Sequence, residues 1–539
     1  MRAVVAEASS SNLNGNAVAS LAQGAVWWQP PAVALGAAAD AALRDPGLCS
    51  AYGDDMGLPQ LRAALLRKCE RDHGLRAEEH AAMVSAGANL AVSALALALL
   101  DFSSSSNSSS SSPSSSSKES SKGQKIRKSR RRKDAAVLFP PYYFNAKMAV
   151  QLAGAEVVLG RSDPGTWLPD ADWLEARLRE EDDEEEREEN ESEENENEKS
   201  ESDKASPLLL PRIRMVYLVN PGNPSGVVVP YELVQRLVEV CSGRNRRSKR
   251  AVFLVLDSTY EAFAPSLSKN PSNPPPPVPF PLPSAPHVIH VGSFSKAYGA
   301  AGWRVGYVVY PLVKAPRRGR RRGVGGGGGN GGDDDEKSGD GDNNNSDATT
   351  LDPLGPQLLK IQDTLPIHAA IASQRLALAC LEGTGGEGEG DEEEAKSSSF
   401  GRSWVSEKVA GLASSKSAAE AALAELGPGS RMWGEGAIYL WARLPPPKAT
   451  EAEGGQGEGG EEGEAEGAKR AEDDDDREFV RFCVSRFGVA VIPGSACGVP
   501  GCFRVAYGKP APGPEFEEAA ARLGRACRAW VERKNLKKN

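Results

Sequence analysis

The chain has 539 residues, a net charge of −10 and only 6% aromatic residues. Its eight cysteines form no CxxC pair and its five histidines fall in no metal-ligand spacing, which argues against a disulfide scaffold or a zinc site. No apolar stretch is long enough to span a bilayer and no signal-peptide core opens the chain, so cytoplasm with reduced thiols is the expected setting.

Six low-complexity runs interrupt the ordinary composition. They lie at about 103–133 (serine, then basic), 180–206 (acidic), 270–286 (proline-rich), 317–350 (basic, then Gly-rich, then Asp/Asn-rich), 383–399 and 445–476. Each falls between a strand-like and a helix-like run, which places it in a surface loop, where closure entropy grows only slowly with length. The acidic runs read as solvated segments. The basic clusters carry no interleaved aromatics, so no nucleic-acid partner is expected. What remains, roughly 380–400 residues, suits one large and one small domain.

Along the chain, short apolar runs alternate with amphipathic patterns. A strand over 82–84 leads through Ser85-Ala86-Gly87-Ala88-Asn89 into a helix over 89–100, and small residues at a helix start form a cradle of backbone N–H groups for phosphate. A strand over 135–139 leads to Pro141-Tyr142-Tyr143, a flat ring able to stack on a cofactor. After a strand over 156–159, a strand over 214–219 runs into the turn-forming Asn220-Pro221-Gly222-Asn223-Pro224-Ser225-Gly226, and a helix follows over 231–241. The very apolar strand 251–256 ends at Asp257 and Tyr260; the strand 288–291 ends at Ser293-Phe294-Ser295-Lys296; and Arg304 precedes a strand over 305–309. Helices are expected over 356–381, 408–426 and 514–533, with strands near 437–441 and 489–492. This rhythm predicts an α/β sheet covered on both faces, followed by a smaller α+β unit.

Each chemical group has an ordinary reading when taken singly. Lys296 could be a surface lysine, Asp257 a helix cap, Asn223 part of a turn, Tyr143 a core ring, and Arg504, in the apolar run Phe503-Arg504-Val505-Ala506, half of an ion pair. Taken together they match one need. A phosphorylated aldehyde cofactor requires an amine, phosphate donors, and a carboxylate that keeps a pyridine nitrogen protonated.

In this order the motifs resemble the fold-type-I, pyridoxal-phosphate-dependent class I/II aminotransferases. The carriers are Asn223-Pro224-Ser225-Gly226, Asp257-Ser258-Thr259-Tyr260, Ser293-Phe294-Ser295-Lys296, Gly302-Trp303-Arg304-Val305-Gly306, and Tyr52-Gly53 with Gly57-Leu58-Pro59-Gln60-Leu61-Arg62. Leu21-Ala22-Gln23-Gly24, Trp28-Gln29-Pro30-Pro31, Pro141-Tyr142-Tyr143-Phe144-Asn145 and Gly436-Ala437-Ile438-Tyr439-Leu440-Trp441 are similar to the plant aromatic subgroup, which aminates indole-3-pyruvate with methionine as donor.

The resemblance implies a large domain with a mostly parallel seven-stranded sheet (51–355) and a small α+β domain built from 356–539 and part of 1–50. It implies pyridoxal 5′-phosphate as cofactor, joined to Lys296, with Asp257 on the ring nitrogen and Tyr260 and Asn223 on the ring oxygen. Ala88, Asn89, Ser293 and Arg304 would hold the phosphate, with Tyr52 reaching it from the other subunit of a homodimer. Tyr143 would stack on the ring. Arg504 would grip the α-carboxylate, with Gly24 close by and Trp27 and Trp28 walling the side-chain pocket. Trp27 stands where the subgroup has tyrosine, and the run 270–286 sets Asp257 farther from Lys296 than usual; that run should loop outward. The substrates implied are amino acids and 2-oxo acids, exchanged by a ping-pong mechanism. The alternatives are a C–S β-lyase, a lyase of the aminocyclopropane-carboxylate-synthase type, or a silent scaffold, which would have no need to keep Lys296, Asp257 and Arg504.

Overall fold

The computed structural model describes residues 18–100, 132–195, 210–248, 250–265, 281–314, 350–351, 354–383, 391–446 and 475–536. Most of the runs 103–133, 270–286, 317–350 and 445–476 lies outside these residues, whereas 180–195 and 391–399, expected as parts of loops, are described and helical. Strands β1 (His80–Ser85), β2 (Asp134–Leu138), β3 (Glu156–Leu159), β4 (Arg212–Val219), β5 (Phe253–Asp257), β6 (Val288–Ser293) and β7 (Gly306–Pro311) form one sheet in the order β1-β7-β6-β5-β4-β2-β3. Only β7 runs against its neighbours. The inner strands are buried on both faces, which is why they read as continuous apolar runs rather than alternating ones.

Helices cover both faces. Among them are α1 (Ala32–Leu43), α2 (Pro59–His73), α3 (Ala88–Leu100), α4 (Phe144–Leu152), α5 (Ala171–Asn195) and α6 (Tyr231–Arg247). Beyond the large sheet come α7 (Gly355–Thr364), α8 (Ile371–Glu382), α9 (Asp391–Ala410), α10 (Ala413–Ala424) and α11 (Pro514–Leu536). The last two pack by an antiparallel sheet of β8 (Arg431–Trp433), β9 (Tyr439–Arg443), β10 (Ile492–Pro493) and β11 (Cys502–Ala506), in the order β8-β9-β11-β10. Residues 19–20 pair in parallel with 489–490 as a separate two-stranded sheet, tying the start of the described chain to the segment that leads into β10.

Several expectations need correction. The helix expected over 356–381 is two helices, because Pro366 has no N–H to continue the ladder and Ile367 turns to φ 64°. The helix over 408–426 breaks at Gly411 and Leu412. The acidic run at 180–206 does not begin as a loop: α5 carries it to Asn195. Glu181 and Arg244 are both almost fully buried and face each other at 3.2 Å, while Asp182 and Glu185 close on the same guanidinium at 2.8 and 3.2 Å. Arg132, at the end of the serine-basic run, is buried against Glu184 at 2.9 Å. Asp476, assigned to the run 445–476, is fully buried and accepts from the Ser495 N–H at 2.6 Å; Leu282, assigned to 270–286, packs in the core. In each case apolar or charged partners elsewhere in the chain capture residues whose neighbours in sequence suggest a loop.

A second buried ionic group lies beside the large sheet. Glu261, next to Tyr260, accepts from Lys68 of α2 at 2.5 Å and from His73 at 2.8 Å. Burial alone would raise the Glu261 carboxyl, but Lys68 and His73 hold it well below the ordinary glutamate range. A depressed pKa in the folded state gives stability that is present above the unfolded value of about 4.3 and is lost as pH falls below it. We therefore expect Glu261→Gln to cost about 1–3 kcal/mol at neutral pH, because Lys68 keeps only the more distant Asp72, at 3.7 Å, as a carboxylate partner. In urea denaturation the deficit should shrink as pH drops below about 4. A deficit independent of pH would show that the pair does not act as an ion pair.

Candidate active site

Parallel strands deliver their following loops to one edge, and the site is assembled there. Asp257 is the last residue of β5 and Ser293 the last of β6; Lys296 follows three residues later, Asn223 lies in the loop after β4, and Tyr143 is the residue before α4. Arg304 precedes β7 with φ 54° and ψ 59°, a left-handed conformation that a non-glycine residue adopts at some cost. In return its guanidinium donates to Ala301 O at 2.9 Å and Ala86 O at 3.3 Å. Gly87, at φ 89°, makes this possible, since a Cβ there would lie 2.2 Å from the arginine. Ser293 pairs with Gly306, whose own Cβ position lies 2.6 Å from Ala88 N. The four expected phosphate residues, Ala88, Asn89, Ser293 and Arg304, thus gather around the amino end of α3.

The centre of the site carries two isolated charges. Asp257 is buried; its Oδ2 accepts from Tyr217 OH at 2.6 Å and its Oδ1 from the Thr259 N–H at 3.0 Å. Among the described residues no cation pairs with it. Burial raises its pKa, against the pull of the Thr259 and Tyr217 hydrogen bonds. Lys296 donates from Nζ to Gly24 O at 2.5 Å and has no carboxylate partner among the described residues. Burial first, then Arg504 and Arg304, lower its pKa to about 8. A carboxylate wanting a cationic partner and an amine wanting a reaction partner fit a ligand that offers a protonated ring nitrogen and an aldehyde, with its phosphate at the α3 cradle.

Around them, Asn223 Nδ2 donates to Tyr260 OH at 3.4 Å, and the Tyr260 and Tyr439 hydroxyls are 2.6 Å apart. Arg504 is buried, donating from Nη1 to Asn223 Oδ1 at 2.8 Å and from Nη2 to Ala22 O at 2.5 Å. Tyr143 OH donates to Asn89 Oδ1 at 3.1 Å and accepts from Asn145 at 2.8 Å, which fixes its ring.

Three expected residues sit differently from the rest. Trp28 is buried, stacked on Phe263 at 6.2 Å, and donates from Nε1 to Ala297 O at 3.0 Å, so it braces the Lys296 loop from below. Trp27 is 37% exposed, edge-on to Trp28, with the Lys408 amine 6.0 Å from its ring. Tyr52 is 82% exposed and touches His368, apart from the residues above. Tyr217 and Tyr439 join the site without a mark in the sequence. Tyr217 hides in a continuous apolar strand. Tyr439 lies within the segment Gly436–Trp441, but nothing in its neighbours marks it as polar chemistry.

The family model for aminotransferase class I and II matches residues 126–523. The chain belongs to that family. A curated relative, aromatic aminotransferase ISS1 of Arabidopsis thaliana, is 33% identical over 505 residues, covering 94% of this chain and 88% of that one. Histidinol-phosphate aminotransferase 2 of Nitrosospira multiformis is 35% identical over 97 residues, 18% of this chain and 21% of that one. Among solved structures, aspartate aminotransferase from Thermus thermophilus with maleate aligns with a TM-score of 0.59 at 18% identity, covering 97% of this chain and 95% of that one. The aspartate aminotransferase of Rhizobium meliloti aligns with 0.59 at 20% identity, covering 97% and 94%. These likenesses establish the fold-type-I architecture and, with the family, dependence on pyridoxal phosphate.

For this aminotransferase the lowered Lys296 pKa has a direct consequence. Only the neutral amine attacks an aldehyde. Attachment of pyridoxal phosphate to the cofactor-free protein should therefore quicken with pH and level off above about 8. Stopped-flow absorbance across pH would show it, and a midpoint near the ordinary lysine value of about 10.4 would refute it.

Proposed function

We propose that this aminotransferase moves an amino group between methionine or an aromatic amino acid and an aromatic 2-oxo acid, such as indole-3-pyruvate or phenylpyruvate. The two half-reactions alternate at one site. The observation that carries the reading is Arg504, a buried guanidinium suited to one α-carboxylate, with the ring of Tyr439 against it at 4.3 Å. The cation beside Trp27, Lys408, is engaged by Glu407 at 3.0 Å and lies over Trp404. A large uncharged side chain suits such walls. The Arabidopsis relative, by its name an aromatic aminotransferase, supports the same reading.

In this scheme Ala88, Asn89, Ser293 and Arg304 hold the phosphate, Asp257 the ring nitrogen, and Tyr260 and Asn223 the ring oxygen, while Tyr143 lies across the ring. When bound, pyridoxal phosphate supplies an aldehyde to take up the amino group and a protonated ring to accept the electron pair left at the substrate Cα. Arg504 orients the substrate by its carboxylate in a bidentate fork. Lys296 Nζ would act as the base that takes the proton from the substrate Cα and as the acid that returns it during amino transfer. Gly24 O is the group that receives the lysine nitrogen in its resting position. The exposed Tyr52 serves the phosphate of a second copy, giving a homodimer with shared sites, and 51–355 forms the cofactor-binding unit. No helix among the described residues is long and apolar enough to cross a membrane; we place the enzyme in the cytoplasm.

Methionine or phenylalanine should convert the cofactor absorbance to its amine form, and indole-3-pyruvate or phenylpyruvate should restore it. Release of ammonia or pyruvate instead would identify a lyase, and a strong preference for aspartate would overturn the substrate pairing. Arg504→Lys keeps the charge but loses the fork. It should raise KM for the amino acid roughly tenfold to a hundredfold while altering kcat less.

A further inference from the structure

We propose that Tyr439 is a positioning residue of this site, directing the Tyr260 proton through its hydroxyl and fixing the Arg504 guanidinium through its ring. The inference rests on the roles given above to Tyr260 and Arg504.

Strand register places Tyr439 where it can do both. In the antiparallel pair β9–β11, Trp441 lies opposite Arg504 and Tyr439 opposite Ala506. Tyr439 and Arg504 are therefore diagonal neighbours on one face, within reach of long side chains. The guanidinium carbon sits 4.3 Å from the Tyr439 ring centroid, with both residues buried. In such a dry setting the ring face restrains the cation.

The hydroxyl side follows from counting donors and acceptors. A phenol oxygen has two lone pairs and one proton. Arg504 donates to Asn223 Oδ1, which turns the amide so that Nδ2 faces Tyr260 and takes one lone pair of its oxygen. The Tyr439 hydroxyl lies 2.6 Å away and either oxygen can donate; in the proposed arrangement Tyr439 donates and takes the other. The Tyr260 proton is then left to point at the cofactor's ring oxygen. Tyr260, with its acceptor capacity filled, becomes the stronger donor.

The surrounding backbone has been cleared for this ring. A Cβ at Gly24 would lie 2.1 Å from the Tyr439 hydroxyl and 3.0 and 3.2 Å from its nearest ring carbons. Gly24 is also the residue whose carbonyl receives Lys296. One side chain thus contacts the supports of the amine, of the ring-oxygen donor and of the carboxylate clamp.

The test uses the full-length, cofactor-loaded protein. Tyr439→Phe keeps the ring and removes the hydroxyl; Tyr439→Leu removes both. Without substrate, the pH midpoint of the bound cofactor's absorbance should rise by about half a unit to one unit in both, because a less stabilised ring oxygen holds the neighbouring proton to higher pH. Tyr439→Phe should leave KM for methionine near wild type. Tyr439→Leu should raise it about tenfold with a smaller change in kcat. An unmoved midpoint in folded Tyr439→Phe overturns the hydroxyl role, and this conservative variant decides that point even where Tyr439→Leu does not fold. Equal KM in both variants overturns the ring role. Tyr260→Phe is the control: if it too leaves the midpoint unmoved, the assignment of Tyr260 has failed, and the proposal with it. If it moves the midpoint and Tyr439→Phe does not, only the inference about Tyr439 falls.

Discussion

The common direction of β4, β5 and β6 brings three chemical groups to one edge that the chain holds far apart. Asn223, Asp257 and Lys296 come off the carboxyl ends of adjacent strands about 5 Å apart, so their separation is set by backbone hydrogen bonding. The interior strands can keep that register because both of their faces are apolar and covered. A change in packing far from the chemistry therefore acts on it by tilting or shifting a strand. The Lys68–Glu261–His73 group adds a second constraint, since it fastens the residue after Tyr260 to α2 and leaves the Asp257–Tyr260 turn little freedom.

The electrostatics of the site show the same economy. Asp257 is buried with only a phenol and a backbone N–H for company, and Lys296 with only a carbonyl. Each would be costly in a purely structural role, because the partner that would stabilise its charge is lacking. Burial moves both pKa values toward the neutral form, which readies the lysine as a nucleophile and leaves the aspartate most stabilised when a cationic ring arrives.

Most of this was legible in the sequence, and for a physical reason. Lysine, aspartate and arginine at the ends of apolar runs stand out because they are expensive there. All the strands of the large sheet were visible as apolar runs, with ends shifted by a residue or two. Tyr217 and Tyr439 were not legible, since tyrosine is at home in a core strand and only its hydroxyl's partner reveals a role. Glu181 and Asp476 were missed for the opposite reason. Each sits in a long acidic run, and only the fold shows that Arg244 takes the first and the Ser495 N–H the second. The break at Pro366 was written plainly in the chain, but the apolar pattern on either side of it concealed two helices.

The polarity of the large sheet also divides the molecule into an edge that reacts and an edge that tolerates change. The runs 101–131 and 196–209 rejoin the described chain just before the amino ends of β2 and β4, and 315–349 follows the end of the antiparallel β7, at that same edge. Lys296, Asp257 and Asn223 all stand at the other. Chain length can therefore be gained or lost at one rim of the sheet while the reacting groups at the opposite rim keep their places. A lineage could lengthen these runs repeatedly without any one addition being tested against the chemistry.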